Sequence, residues 1–139
     1  MRTTGAPPLQ RLLCRADFLR AARGVKAAAP GLVLQDRRRA PDETGDDNRP
    51  RVGFTASRKV GGAVVRNRAR RRLRAAAVDV LSRRAEPGHD YVLIARAATA
   101  ERSYDALLAD LEKALTRIQS GKGEPSGRRR RPTAAGART

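Results

Sequence analysis

The apolar positions of segment 51–84 follow two different periods, which predict a strand followed by a long helix. Over 51–57, apolar residues alternate with small or polar ones, as in a strand with one buried face. The first set is Val52, Phe54 and Ala56, and the second is Gly53, Thr55 and Ser57. Gly61-Gly62 ends the strand, and a helical stripe begins near Ala63 and ends by about Arg84. Its members are Val65, Ala69, Leu73, Ala76, Ala77 and Val80.

Weaker patterns predict four more elements around this pair. The spacing of Leu and Ala indicates a short helix within 11–23, and the sequence GLVLQ at 31–35 indicates a short strand. The sequence YVLIAR at 91–96 indicates a largely buried strand. A last helix follows from about Thr99, because apolar residues recur there with helical spacing. The stripe comprises Tyr104, Leu107, Leu108, Leu111, Leu115 and Ile118.

The predicted element order is αββαβα, which is typical of an α/β (α+β) two-layer sandwich with helices on a small mixed sheet. We expect one folded domain over 11–119, a flexible segment over 1–10, and a disordered basic tail over 120–139. The acidic loop 40–50 is expected to join the first two strands as antiparallel neighbours.

The charge of the chain narrows its function classes. The 139 residues include 31 basic and 14 acidic side chains, which gives a net charge of +17. All but four of the basic residues are Arg, which binds phosphate with a planar, bidentate fork. Such an excess favours nucleic acid or, less often, an anionic membrane. No apolar run approaches the length of a membrane span, and the first ten residues lack the apolar core of a signal peptide, so a cytoplasmic protein is expected.

Residues suited to catalysis or metal binding are few. Cys14 is the only cysteine and His89 the only histidine, so neither a zinc cluster nor a patterned nucleophile is present. Four acids lie in the loop 40–50, where a flexible tip could not preorganise metal ligands; they are Asp42, Glu43, Asp46 and Asp47. No protein-held metal is expected. A nuclease acting alone is also not expected, because it would commonly hold two metals on carboxylates of a rigid element.

The polar face of the long helix carries a row of arginines. Four residues at i, i+3, i+4 and i+7 share this face, with Arg68 at its edge: Asn67, Arg70, Arg71 and Arg74. Each like-charge pair at i,i+4 costs a few tenths of a kcal/mol, which a bound polyanion would offset. A solvated helix face is the ordinary alternative. The preference for Arg, the Asn within the run, the Gly-Gly entry and the net charge favour binding.

This central segment resembles the motif of the bacterial ribonuclease P protein family. The family pattern is a strand R-V-G-F/L-x-x-S-K-K-V-G, a short spacer, and then R-N-R-x-K/R-R-x-x-R. The chain reads RVGFTASRKVG over 51–61 and RNRARRRLR over 66–74. The resemblance covers roughly Arg11 to Gln119. It implies a fold like that of a ribosomal small-subunit protein domain, with a left-handed βαβ crossover through the arginine helix.

The resemblance also implies a function. The chain would be the protein subunit of a ribonucleoprotein endonuclease that removes the 5′ leader from precursor tRNA. Its partners would be the catalytic RNA, which would use Mg²⁺ for the chemistry, and the precursor tRNA. The residues implied to bind RNA are Arg58, Lys59, Arg66, Asn67, Arg68, Arg70, Arg71 and Arg74.

A second group of residues is implied to line a cleft for the leader. The group comprises Phe18, Gln35, Thr55 and Ser57. A ring at position 18 would hold single-stranded RNA by stacking, worth about 1–3 kcal/mol per base. Packing in the hydrophobic core is the ordinary alternative for this ring. Many family members have further aromatic residues where this chain has Ala22 and Gln35. The cleft is therefore expected to rely less on stacking and more on Arg70, Arg74 and hydrogen bonds.

Two other function classes fit the composition. A ribosomal or ribosome-assembly protein on a similar fold would bind many structured RNAs with comparable affinity. A DNA-binding module would place the arginine helix in a major groove, but it would need a helix-turn-helix partner. A strand and a Gly-Gly turn precede the helix instead, so DNA is the weaker alternative.

Overall fold

The structure is a computed structural model that describes residues 9–44 and 48–125. Its strands are β1 Gln10–Arg11, β2 Val25–Ala29, β3 Leu32–Arg38, β4 Arg51–Thr55, β5 His89–Ala95 and β6 Glu124–Pro125. Its helices are α1 Arg15–Ala21, α2 Pro41–Thr44, α3 Ala63–Arg84 and α4 Tyr104–Gln119, with a 3₁₀ turn at Arg58–Val60. The predicted α/β class with a mixed sheet is confirmed.

The described strands form one six-stranded sheet in the order β1-β4-β5-β3-β2-β6. Strand β4 runs parallel to both β1 and β5, so β4, α3 and β5 form a parallel crossover unit. The other neighbouring pairs are antiparallel. This order contradicts the expectation that strands 31–35 and 51–57 are neighbours, because β5 lies between β3 and β4. The sequence of β5 explains its position: Tyr91, Val92 and Leu93 are all buried, so the strand is covered on both faces.

The two faces of the sheet are covered by different helices. Helices α3 and α4 pack on one face, where Leu32, Leu34, Val52 and Leu93 join the main core. Helix α1 packs on the other face, where a smaller cluster contains Leu12, Ala21 and Val92 with Phe18 and Ile94 against them. Because α1 is only seven residues long, it covers part of that face.

Strand β2 and the start of the last helix differ from the prediction. Strand β2, with the sequence VKAAA, was not predicted, because alanine has a low intrinsic preference for strands. It forms because all five of its residues pair with β3. The last helix begins at Tyr104 and not at Thr99, since the Ser103 side chain caps it by accepting from the backbone N–H of Ala106. The Thr99 hydroxyl instead donates to the carbonyl of Gly31 at 2.6 Å.

The predicted stripe of α3 is confirmed from Ala69 onward, and Leu81 joins it. Val65 is wrong as a core residue, because it precedes the part of the helix that packs on the sheet and remains 37 % exposed. Two segments that were expected to be flexible contain a paired residue. Gln10 of the segment 1–10 pairs with Arg51, and Glu124 of the segment 120–139 pairs with Lys26. The remaining parts of those predictions, at 1–8 and 126–139, lie outside the described residues, as do Asp46 and Asp47 of the acidic loop.

Candidate nucleic-acid interface

A tight turn places the start of α3 next to the end of β4. The Ser57 hydroxyl accepts a hydrogen bond from the backbone N–H of Lys59 at 3.3 Å, which closes the 3₁₀ turn. Gly61 follows with a φ of 149°, and a Cβ there would lie 2.9 Å from Val65. Only glycine fits this position without strain. The turn leaves Arg58 and Lys59 exposed beside the first residues of α3.

The N-terminal half of α3 carries most of the residues that are predicted to bind RNA. We call this set the α3 row, and it comprises Arg66, Asn67, Arg68, Arg70, Arg71 and Arg74. Within the described ranges, no carboxylate forms a salt bridge with any member of the row. The first turn of α3 contains no acidic residue, and Gly62 provides no side-chain cap. The positive end of the helix dipole therefore adds to the positive potential of the row.

Two arginines of the α3 row are held by uncharged partners. Arg70 donates through Nη2 to the side-chain oxygen of Asn67 at 2.8 Å. The guanidinium of Arg74 lies over the ring of Phe54, with its central carbon 5.7 Å from the ring centroid. Arg66 is partly buried, and its Nε makes no hydrogen bond to any described residue. Arg68 and Arg71 are exposed.

Arg72 belongs to the same arginine run but has a structural position. It donates through Nε to the carbonyl of Thr99 at 3.0 Å and through Nη2 to the carbonyl of Arg102. These bonds connect α3 to the loop between β5 and α4. The run of consecutive arginines in the sequence thus contains both bound and solvent-facing side chains.

The sheet face opposite α3 is open beyond helix α1. Phe18 of α1 packs on Gly53, where an added Cβ would meet the ring at 2.5 Å, so this close approach requires glycine. Gln35 lies on the same face, since it pairs with Val92, which pairs with Gly53. Thr55 lies one rung further along and is exposed.

The structure therefore brings Phe18, Gln35 and Thr55 to one face of the sheet. The alternation of β4 predicts this face for Thr55, whereas Phe18 and Gln35 were implied by the resemblance. Ser57 lies just beyond Thr55, but its hydroxyl already accepts the turn hydrogen bond. Lys26, Val33 and Ile94 also lie on this face by their register with these residues. Sequence reasoning missed Lys26, because it lies in the unpredicted strand β2. We call this open surface, bordered by Phe18 and floored by Thr55, Ile94, Val33 and Gln35, the sheet cleft.

A network of charged side chains positions α1 over the sheet. Asp90 is fully buried and accepts from Arg39 Nη1 at 2.6 Å and from Arg51 Nε and Nη2 at 2.8 Å each. Arg51 also reaches Asp17 of α1 at 3.3 Å. The hydrogen bonds to Asp90 raise the pKa of Arg51 above its ordinary value. We call these four residues the Asp90 network.

Three other carboxylates of the described residues are engaged in similar pairs. Asp36 lies 2.6 Å from His89 Nδ1, Asp110 accepts from Arg102, and Glu112 accepts from Arg83 and Arg84. Hydrogen bonds from Arg83 and Arg84 lower the pKa of Glu112. In the described part of the chain, no three His, Cys, Asp or Glu residues are grouped to hold a metal ion. No described helix is long and apolar enough to cross a membrane.

Comparisons with known proteins agree on one family. Residues 7–119 match the protein family Ribonuclease P. The chain is 53 % identical over 117 residues to the ribonuclease P protein component of Paramagnetospirillum magneticum, covering 81 % of this chain and 85 % of that protein. It is 50 % identical over 109 residues to the ribonuclease P protein component of Ruegeria pomeroyi, covering 78 % and 85 %.

Solved structures show the same fold at lower identity. The RNase P protein of Thermotoga maritima superposes with a TM-score of 0.63 at 24 % identity, covering 78 % of this chain and 97 % of that one. The RNase P protein of Staphylococcus aureus superposes with a TM-score of 0.62 at 24 % identity, covering 78 % and 94 %.

Proposed function

This chain belongs to the family of bacterial ribonuclease P protein components and is the protein subunit of that ribonucleoprotein, and we propose that it works by binding two RNAs at once. One is the catalytic RNA of ribonuclease P, bound by the α3 row with Arg58 and Lys59. This assignment moves Arg70 and Arg74 away from the cleft, because Arg74 lies over Phe54 on the opposite face of the sheet. The other is precursor tRNA, whose 5′ leader lies in the sheet cleft. These relatives do not favour the alternative of a ribosomal or assembly protein.

The observation that carries the proposal is the α3 row itself. Its arginines stand on a rigid helix without carboxylate partners among the described residues. Four arginines elsewhere in the fold are paired with acids, namely Arg39, Arg51, Arg83 and Arg84. Leaving several guanidinium groups side by side is unfavourable in the free protein. A phosphate backbone removes that repulsion and gains charge-assisted, bidentate hydrogen bonds.

The sheet cleft suits a single RNA strand. Phe18 offers a ring for base stacking, and the amide of Gln35 and the hydroxyl of Thr55 offer donors and acceptors. The cleft and the α3 row meet where β4 passes through the Ser57 turn into α3. A leader in the cleft would therefore pass close to the catalytic RNA bound along the helix.

We assign the phosphodiester chemistry to the RNA subunit and its Mg²⁺ ions. Most buried or partly buried carboxylates among the described residues are already bound to basic side chains of the fold, as Asp90, Asp36 and Asp110 are. Metal-assisted phosphoryl transfer needs carboxylates that converge on a metal. The protein would instead supply positive charge and hold the leader.

The test is reconstitution with the ribonuclease P RNA of the same organism. We expect the protein to stimulate leader removal from precursor tRNA at low Mg²⁺ and to cleave nothing without the RNA. Phe18→Ala should weaken binding of precursor tRNA to the assembled enzyme by about tenfold to a hundredfold, the value of one stacked base. Mature tRNA, which lacks a leader, should bind as before.

Leu19→Ala is the matched control, since Leu19 lies on the same helix and is 55 % exposed. It should leave both affinities unchanged. Melting curves of both variants separate a binding defect from a folding defect. Equal losses for precursor and mature tRNA in Phe18→Ala would contradict the leader assignment. Absence of stimulation by the wild-type protein would contradict the proposed function as a whole.

A further inference from the structure

Phe54 lies on the sheet face that carries α3, away from the sheet cleft. The residue is partly buried and packs against the main core beside Val52 and Ala56. Its ring also contacts the guanidinium of Arg74 from the α3 row. Of the other aromatic side chains, Tyr91 is fully buried, Tyr104 donates to Asp79, and Phe18 packs on Gly53. Phe54 is the aromatic residue that touches the α3 row.

The contact fixes Arg74 without using its hydrogen-bond donors. An aromatic ring attracts a cation through its π face, so the five N–H groups of the guanidinium remain available. A carboxylate partner would occupy two of them and neutralise the charge. Arg84, further along the same helix, shows that arrangement, because it donates to Glu112 at 2.6 Å. Arg74 is exposed and has no acidic partner in the ranges that the structure describes.

We propose that Phe54 is a positioning residue that holds the guanidinium of Arg74 ready for a phosphate of the catalytic RNA. The inference rests on the proposed function of the α3 row. A long, flexible arginine loses side-chain entropy when it binds, and a ring that already restricts the guanidinium reduces that loss. Asn67 acts on Arg70 in the same way, through one neutral hydrogen bond that leaves the charge in place.

The proposal predicts a coupling between Phe54 and Arg74 that a core residue would not show. The experiment is a double-mutant cycle with Phe54→Leu, Arg74→Gln and the double variant, measuring affinity for the ribonuclease P RNA. Phe54→Leu should weaken binding about twofold to fivefold, the range of an exposed cation–π contact. Arg74→Gln should weaken it about tenfold, because one phosphate contact is lost. The double variant should bind no more weakly than Arg74→Gln.

Phe54→Tyr is the matched control, since it keeps the ring and should retain wild-type affinity. Melting curves measure what each variant costs the fold. If Phe54→Leu weakens binding by the same factor with and without Arg74, the ring acts through general packing and the proposal fails. The proposal also fails if Arg74→Gln leaves the affinity unchanged. Wild-type protein that neither binds the RNA nor stimulates cleavage would instead contradict the proposed function.

Discussion

Two groups of arginines in this molecule consist of the same positively charged side chain but have different surroundings. Around Asp90, the guanidinium groups of Arg39 and Arg51 bind one fully buried carboxylate at 2.6–2.8 Å. In the α3 row, Arg70 binds a neutral amide and Arg74 lies over an aromatic ring. The charge of the first group is balanced inside the fold, whereas the second has no carboxylate partner among the described residues, and we propose that it binds RNA.

The same contrast occurs within α3. Near its C-terminal end, Arg83 and Arg84 both donate to Glu112 of α4, so that this part of the helix is tied to its neighbour. Near its N-terminal end, the row faces no carboxylate among the described residues. The comparison teaches that an arginine count does not locate a binding surface. We propose that the binding surface lies where arginines are held in place but not neutralised.

The largest expected effect is the loss of stability caused by a substitution in the Asp90 network. Asp90→Asn removes the negative charge between two arginines, and breaking a buried ion pair costs about 3–5 kcal/mol. We expect a loss of that order in the free energy of unfolding, measured by urea denaturation. At a temperature where the variant is folded, its affinity for the catalytic RNA should remain near the wild-type value.

Asp105→Asn is the control for this substitution. Asp105 is exposed in the first turn of α4, so only a weak helix-dipole interaction of about 0.3–1 kcal/mol is affected. An Asp90→Asn variant as stable as this control would show that the buried network does not stabilise the fold. Arg39 and Arg51 would then not differ from the α3 row in their structural role.

The second effect concerns the α3 row. Arg68→Ala should leave the melting temperature unchanged, because the side chain is exposed and forms no ion pair within the described residues. Arg66→Ala should also leave the fold intact. Each should reduce affinity for the catalytic RNA by about tenfold, at roughly 1.5 kcal/mol per charge-assisted contact. The dependence of binding on salt should also become shallower, since fewer counterions are released.

Arg83→Ala provides the comparison on the same helix. Arg83 is also exposed but is paired with Glu112, so its loss should lower stability by less than about 1 kcal/mol and change RNA affinity little. If Arg83→Ala weakens RNA binding as much as Arg68→Ala does, the interface extends along the whole helix. In that case the distinction between the two ends of α3 is wrong.

The sequence allowed the central part of this fold to be predicted because two simple periods specify it. Alternation in β4 places Gly53 and Thr55 on one face and Val52 and Ala56 on the other, and the structure confirms both sets. The helical period predicts the buried side of α3 from Ala69 onward. These periods are local properties of the chain, so they need no knowledge of what packs against it.

The order of the strands could not be predicted in the same way. Alternation says which residues share a face, but it does not say that β5 enters between β3 and β4. Strand β2 was missed because its alanines carry little strand preference, and its pairing with β3 decides its conformation. With β2 the position of Lys26 was missed as well.

The sequence named candidate residues for the site, which stay a prediction, but it could not give their contacts. The resemblance named the members of the α3 row, yet nothing in the sequence says that Arg72 binds the loop after β5 while Arg74 covers Phe54. Phe54 was assigned only to the buried face of its strand. Its contact joins strand β4 to helix α3, because Arg74 lies twenty residues further along the chain. Only the packed structure brings the two side chains together.

The smallest expected effect is on the pair formed by His89 and Asp36, whose charge depends on pH, whereas the charge of the α3 row does not. His89 lies 2.6 Å from Asp36 through Nδ1 and 3.3 Å from Glu86 through Nε2, with Arg38 nearby as an opposing charge. The hydrogen bond to Asp36 raises the pKa of His89 above its ordinary value of 6.5. A pKa that is higher in the folded state means that folding is favoured by protonation. The contribution of His89 is therefore complete below about pH 6.5 and is lost as the pH rises through the folded-state pKa.

The measurement compares the melting temperatures of the wild-type protein and His89→Gln from pH 5.5 to 9. We expect the wild-type advantage to be largest at the acidic end and to shrink toward the alkaline end, by less than the change caused by Asp90→Asn. Arginines stay protonated throughout this range, so RNA affinity of the α3 row should not follow the same curve. A wild-type advantage that grows with pH would mean that burial outweighs Asp36 and lowers the pKa of His89 in the folded state. Loss of RNA affinity in step with the histidine titration would mean that the His89–Asp36 pair and the α3 row are not independent.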